Sequence, residues 1–204
     1  SILPIKGIKI VYPSNAADMK GLMKAAFYDP NPVVMFEHKG IYWSKVPGTE
    51  GAKSKEPSRD YVIPLGKART HLEASTEELE SGNTLSIVTY GMGVWWASKA
   101  AQVFPGQVEI TDLRTLSPCD DEAIYASVKK HGKVLLLTEE TLNNSFVQAI
   151  AGRIQENCFE HLDAPVKCIG SLDVPAIPLN VDLEKEVLPN ADKVAAAIEE
   201  LLSY

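Results

Sequence analysis

The side chains able to do acid–base or metal chemistry are scattered along this chain. The four histidines are His38, His71, His131 and His161. No two stand three or four residues apart, so no helix turns a pair of them onto one face as metal ligands. No serine or cysteine occupies a nucleophile elbow, where a strained strand-to-helix turn would expose its oxygen or sulfur. Glu139 and Glu140 follow an apolar run, at the end of a strand where α/β proteins place their sites. Adjacent residues of an extended chain point to opposite sides, so the two carboxylates do not make a working pair. Gly91-Met92-Gly93 sits between an apolar run and a helical pattern, the setting of a dinucleotide-binding turn. The third glycine of that motif would be residue 96, and Trp96 stands there. An indole prevents the close helix–strand approach, which leaves a plain tight turn. Trp95 and Trp96 diverge by about 100 degrees on a helix; one belongs in a core and the other faces an interface or solvent.

The three cysteines, Cys119, Cys158 and Cys168, are odd in number and lack metal-ligand spacing. They read as small core residues in a reducing compartment. The formal net charge of -7 is spread along the chain. That argues against nucleic acid as a partner, which needs a basic stripe to release counterions. No apolar run approaches the roughly 20 residues that span a bilayer, and the first residues lack a signal-peptide pattern. The expectation is therefore a cytoplasmic protein with no membrane partner. The chain opens on Ser1 rather than Met, which suggests a piece of a longer protein.

The elements that must position these groups follow from periodicity. Its 204 residues, 45% of them hydrophobic, suffice for one full domain plus a smaller unit. Residues 7–12 alternate as a strand, with Ser14 as the expected N-cap of a helix over 16–28. That helix carries an apolar stripe at Met19, Leu22, Met23, Ala26 and Phe27. Asp29-Pro30-Asn31-Pro32 stops it, and 33–36 is a buried strand. A lone strand–helix–strand cannot cover its own faces, so the rest of its domain is expected to lie outside this sequence. Residues 46–60, rich in Gly and Pro, read as a linker. A second α/β pattern fills 61–204. Its strands are expected over 61–72 (edge-like, because of Pro64), 84–90, 108–113, 134–138 and 166–169. Helices are expected over 94–103, from Ser117-Pro118 to His131 with Gly132 as its stop, from Asn144 or Ser145, and after Asn190. Residues 73–83 read as a polar turn and 171–189 as a loop. Alternating strands and helices imply a mostly parallel sheet covered on both faces.

The strings GIKIVYPSNAADMKGLMKAAFYDPNPVVMFEHK, YVIPLGKA, SIVTYG, ITDLRTLSPCD and LDAPVKCIGSLDVP occur in order over essentially the whole chain. They resemble the beta subunit of thiamine diphosphate-dependent 2-oxo acid dehydrogenases, or the C-terminal half of an alpha/beta fusion. QENCFEHLDAP is closer to the branched-chain (2-oxoisovalerate) type than to the pyruvate type. The resemblance implies that 1–45 is the end of a pyrimidine-binding domain. It implies that 61–204 is a three-layer α/β/α transketolase-type C-terminal domain around a five-stranded mixed, mostly parallel sheet. It places the glutamate and histidine that serve thiamine diphosphate upstream of GIKIVYPS, and the diphosphate with its magnesium on an alpha part. No catalytic or cofactor-binding residue is therefore expected here, and the chain alone is expected to be inactive.

The resemblance further implies a structural potassium ion on the carbonyls of Ala26 and Phe27 with Asp29 and Asn31. Helix capping by Asp29 and Asn31 is the rival reading of those residues. It also implies three partners: the alpha subunit, a second beta copy across a two-fold axis, and the subunit-binding domain of the acyltransferase. Asp182, Glu184, Glu186, Glu199 and Glu200 supply the acidic surface for the last of these. Asn143-Asn144-Ser145-Phe146 departs from the family, which has a glycine pair before the phenylalanine. Gln148 departs too, often being glutamate. Another transketolase-like enzyme and a non-catalytic interaction module remain the alternative functions.

Overall fold

The computed structural model describes residues 2–43 and 46–204. Ser1, and Ser44 and Lys45 at the expected edge of the first unit, lie outside the described residues. The chain opens with β1 (Lys9–Val11), α1 (Ala16–Tyr28) and β2 (Val33–Met35), with β1 and β2 parallel. Asn15, not Ser14, caps α1: its Oδ1 accepts from the Asp18 N–H at 2.9 Å. Ser14 is unavailable because its hydroxyl is committed to Asp112. Of the expected apolar stripe of α1 only Leu22 is fully buried. Asp18, Gly21 and Leu22 are buried, while Met23 is 49% and Phe27 82% exposed. Gly21 sets this facing. A Cβ there would lie 2.6 Å from Ile63, so only glycine lets the 61–63 segment cross so close.

After α2 (Lys39–Tyr42) and a single turn at Glu50–Ala52, the strand expected over 61–72 shortens to β3 (Arg69–Leu72). Pro64 lacks an amide for a ladder and Gly66 has φ +83°, so residues 61–68 run irregularly. Ile63 is buried there against Val11 and Leu22. The expected polar turn at 73–83 contains α3 (Thr76–Glu80), capped by Ser75. Next come β4 (Leu85–Thr89), α4 (Met92–Ala101), β5 (Val108–Asp112) and β6 (Thr115–Ser117). Ser117 and Pro118 do not open the following helix. Ser117 ends β6, and Asp120 caps α5 (Asp121–His131) by accepting from the Ala123 N–H at 3.3 Å. Gly132 stops α5 at φ +70°, as expected. β7 (Val134–Thr141), α6 (Phe146–Cys158) capped by Ser145, and β8 (Lys167–Ser171) follow. The expected loop over 171–189 holds α7 (Val181–Val187) behind Asn180, and Asn190 caps α8 (Ala191–Leu202).

Two sheets result. The larger has the order β3-β5-β4-β7-β8, parallel except for β3, which pairs antiparallel with β5 at the edge. Alternation along its strands splits the core. Leu135 and Leu137 of β7 face α4 and α8 with Ala97, Val194 and Ile198, while Val134 and Leu136 face α5 and α6 with Ile124, Val128 and Ile150. This is the three-layer α/β/α arrangement, and each leucine so covered contributes about 1.5–3 kcal/mol. The smaller sheet, β2-β1-β6, joins two segments remote in sequence, because β6 pairs antiparallel with β1.

Candidate functional site

The polar side chains with the most unusual surroundings lie where the first unit meets the larger sheet. Ser14, just after β1, donates to Asp112 Oδ2 at the end of β5, at 2.5 Å. Arg69 Nη2 on β3 lies 3.4 Å from the same oxygen and 3.3 Å from Asp18 Oδ2 on α1. Arg114, one of the two residues between β5 and β6, lies 3.5 Å from Asp18 Oδ1 and donates to the carbonyls of Lys67 and Ala68. Trp95 donates its indole N–H to the Ser14 carbonyl at 2.8 Å. Burial pushes Asp112 up to about 6; Asp18 adds to the rise, and the Ser14 hydrogen bond, Arg69 and Arg114 oppose it. His71, edge-on to Trp95, is held below its ordinary value by burial and by Arg69. Among the described residues Arg69 Nε is buried without a partner; the other contacts join α1 to the sheet.

A second cluster is internal to the larger domain. Glu109 on β5 accepts from the Ser127 hydroxyl and the Lys130 ammonium, both at 2.6 Å, and lies 3.2 Å from His131 Nε2. Burial alone would raise its carboxyl, but His131, Lys130 and Ser127 together hold it down to about 2. His131 is fully buried, its Nδ1 sharing a 2.8 Å hydrogen bond with the Thr84 hydroxyl. It therefore belongs to this network, and its place goes beyond the helix-end role expected from sequence.

The other residues singled out by type and spacing are dispersed over the fold. His38 Nε2 meets Glu139 Oε1 at 3.0 Å, a pairing across 101 residues that spacing could not reveal. Glu140 accepts from the Phe146 N–H at 2.6 Å, at the start of α6. The adjacent carboxylates thus take different partners, although both border the same cavity. His161 is exposed in the turn Phe159–His161. Gly91, at φ +55°, makes the turn, and Met92 and Gly93 already belong to α4, where a Cβ on Gly93 would lie 2.0 Å from Thr89 Oγ1. Trp95 is buried, and Trp96 is half-buried against two core clusters. The three cysteines are free. Burial raises Cys119 to about 12, helped by Asp121, and Cys168 to about 11, so neither is a reactive thiol at neutral pH.

At the end of α1, the Ala26 carbonyl accepts the Asp29 N–H at 3.3 Å. Asp29 Oδ1 accepts from the Asn31 N–H at 2.9 Å, and Oδ2 pairs with Lys9 at 2.5 Å. Phe27 points its ring outward against Tyr28. Among the described residues no three His, Cys, Asp or Glu side chains gather as a metal site. No helix among them is long and apolar enough to cross a membrane. Asp182, Glu184, Glu186 and Glu199 are exposed, and exposed Glu200 pairs with Lys167.

Residues 74–194 match the family model of the transketolase C-terminal domain. The chain belongs to that family. The transketolase C-terminal domain takes in the segment from the approach to α3 through the first turns of α8. Outside it, similarity still extends over nearly the whole chain. The chain is 40% identical over 201 residues to the "2-oxoisovalerate dehydrogenase subunit beta" of Bacillus subtilis, covering 97% of this chain and 57% of that protein. It is 39% identical over 199 residues to the "Pyruvate dehydrogenase E1 component subunit beta" of Rhizobium meliloti, covering 96% of this chain and 40% of that protein. The chain thus spans about half the length of the curated relatives it matches. A solved structure titled "Split gene transketolase, inactive beta4 tetramer" shares the fold, with a TM-score of 0.74 at 19% identity over 99% of this chain and 60% of the other.

Proposed function

We propose that this chain is the C-terminal part of the decarboxylating dehydrogenase component of a cytoplasmic 2-oxo acid dehydrogenase complex, acting on a branched-chain 2-oxo acid or pyruvate. Its work there is assembly and docking. One observation carries this reading: the buried titratable groups, Asp112, Asp18, Glu109 and His131, are all tied to structural partners. The 40% identity to a 2-oxoisovalerate dehydrogenase beta subunit supports the choice of enzyme. When bound, thiamine diphosphate with magnesium supplies the electron sink for decarboxylation, and the acyl group passes to a lipoyl arm. The residues present do not fit that cofactor: among the described residues no three His, Cys, Asp or Glu side chains gather to hold its magnesium, and the Asp18 and Asp112 carboxylates are already engaged by Arg69, Arg114 and Ser14. The chain's own contribution is to present surfaces. Exposed Met23 and Phe27 on α1 suit an alpha subunit or a second beta copy. Exposed Asp182, Glu184 and Glu186 on α7 suit a basic subunit-binding domain of the acyltransferase.

A potassium ion on Ala26, Phe27, Asp29 and Asn31 is part of the proposal at one remove. Lys9 now neutralises Asp29, so an ion would have to displace that ammonium. Melting the chain in potassium chloride and in choline chloride tests this; equal midpoints would leave Asp29 and Asn31 as caps alone.

The main experiment supplies the isolated chain with thiamine diphosphate, magnesium and either 2-oxoisovalerate or pyruvate, and separately titrates it with a basic acyltransferase fragment. No CO2 release and salt-sensitive binding are expected. Turnover by the chain alone would overturn the proposal.

A further inference from the structure

We propose that the crevice above the carboxyl ends of β4 and β7 binds a small organic cation of the alkylguanidinium or alkylammonium class. The cation would sit between the rings of Tyr12, Phe36 and Tyr90 and the carboxylates of Glu139 and Glu140.

Topology makes the opening. β4 leads through α4 to β5 on one side, and β7 leads through α6 to β8 on the other. Where neighbouring parallel strands part company in this way, their following loops separate and leave a crevice at the strand ends. Here the crevice is a cavity of about 490 Å³ with buried Ile10 and Leu116 in its lining. That lies in the roughly 300–1,000 Å³ range of small-molecule sites.

The walls are aromatic. The Tyr12 ring lies 5.8 Å from Phe36 and 5.5 Å from Tyr90, tilted by 39° and 48°. Of the three rings Phe36 is 42% exposed, Tyr12 is half-buried and Tyr90 is buried. Tyr90 is held in place by a 2.7 Å hydrogen bond between its hydroxyl and that of Thr138. Burial, reinforced by Glu139 for Tyr12 and by Glu140 for Tyr90, drives both phenols far above their ordinary range. Both stay neutral, so the carboxylates alone carry negative charge.

That charge is only partly answered. Glu139 has His38 at 3.0 Å, and Glu140 has the Phe146 N–H at 2.6 Å, each through Oε1. Among the described residues, neither Oε2 has a hydrogen-bond partner, and no lysine or arginine lines the cavity. A cation over these ring faces gains about 0.5–2 kcal/mol from the rings, and more from the carboxylates. An anion would meet two like charges. A neutral guest would strip water from the carboxylates without replacing it. The balance selects a cation.

The test titrates the chain with n-butylguanidinium, n-butylammonium and neutral n-butylurea, by calorimetry and by the NMR shifts of the Tyr90 and Phe36 rings. Both cations should bind and shift these rings, and butylurea should bind at least about tenfold more weakly. The double variant Glu139→Gln, Glu140→Gln should weaken both cations about tenfold and leave butylurea unchanged. Should that variant melt early, Phe36→Leu decides, since Phe36 is 42% exposed and its loss spares the core. Severalfold weaker cation binding by Phe36→Leu supports the site. Equal affinity for butylurea, undiminished binding by a natively melting variant, or no saturable response to either cation would overturn it.

Discussion

The Ser14 hydroxyl donates to the Asp112 carboxylate at 2.5 Å across 98 residues of sequence, and neither side chain touches water. The bond fastens the end of β1 to the end of β5. It also leaves Asp112 in an environment that resists its negative charge, with Arg69 and Arg114 offsetting only part of the burial.

The first prediction concerns pH. Asp112 is raised from 3.8 to about 6, so the folded chain holds this proton more tightly than the unfolded chain. Its contribution therefore favours the fold below 3.8 and is lost as pH rises through 6. The window is worth at most about 3 kcal/mol, at about 1.4 kcal/mol per pH step. Asp112→Asn should flatten the fall in stability over this window, measured by urea unfolding at fixed pH steps. A parallel pair of curves would remove Asp112 from the account.

Glu109 has the opposite sign in a lower window. Its carboxyl is held at about 2 against an ordinary 4.5, so the unfolded chain takes up its proton first. Stability from this group is present above 4.5 and disappears as pH falls towards 2. Glu109→Gln should lower the melting temperature at neutral pH and make the variant less sensitive to acid than the parent below pH 4.5.

Trp95→Phe removes the indole N–H that the Ser14 carbonyl accepts at 2.8 Å. Leaving that carbonyl unpaired in a buried setting costs about 1–3 kcal/mol. Hydrogen exchange should accelerate in β1 and the first turn of α1 more than in β4 or β7. Uniform acceleration would mean that the bond does not act locally.

Leu136→Ala tests the main core. Leu136 is fully covered on the α5–α6 side of the sheet. The substitution should cost about 2–5 kcal/mol in chemical denaturation, and a loss below 1 kcal/mol (about half the smallest expected) would show that the site collapses around the void.

The five-stranded sheet and its covering helices were legible because their signals are local. Short runs containing Val, Ile or Leu mark four of the five strands, and Gly132, Ser145 and Asn190 punctuate helices with side-chain or backbone chemistry that acts within a few residues. Errors arose where a distant partner overrides the local preference. Ser14 is a good cap, but Asp112 claims its hydroxyl. Ser117 reads as the start of the next helix, but pairing with β1 claims it as the last residue of β6. The stripe on α1 is apolar, yet Gly21 rather than Phe27 meets the rest of the chain, because Ile63 presses there. α3 and α7 are short, with 5 and 7 residues, too brief for a periodic signal. Of the pairings that define the sites, His38 with Glu139 and Tyr12 with Tyr90 had no trace in spacing at all.

The three residues of β6 have an effect out of proportion to their length. They belong to the chain segment after β5, yet their backbone amides and carbonyls complete the sheet that β1 begins, and the Tyr12 N–H donates to the Arg114 carbonyl at 2.8 Å beside them. A swing of the opening unit about residues 46–60 would tear this seam, orphaning buried peptide groups at about 1–3 kcal/mol apiece. A three-residue strand thus sets a backbone toll on any such swing.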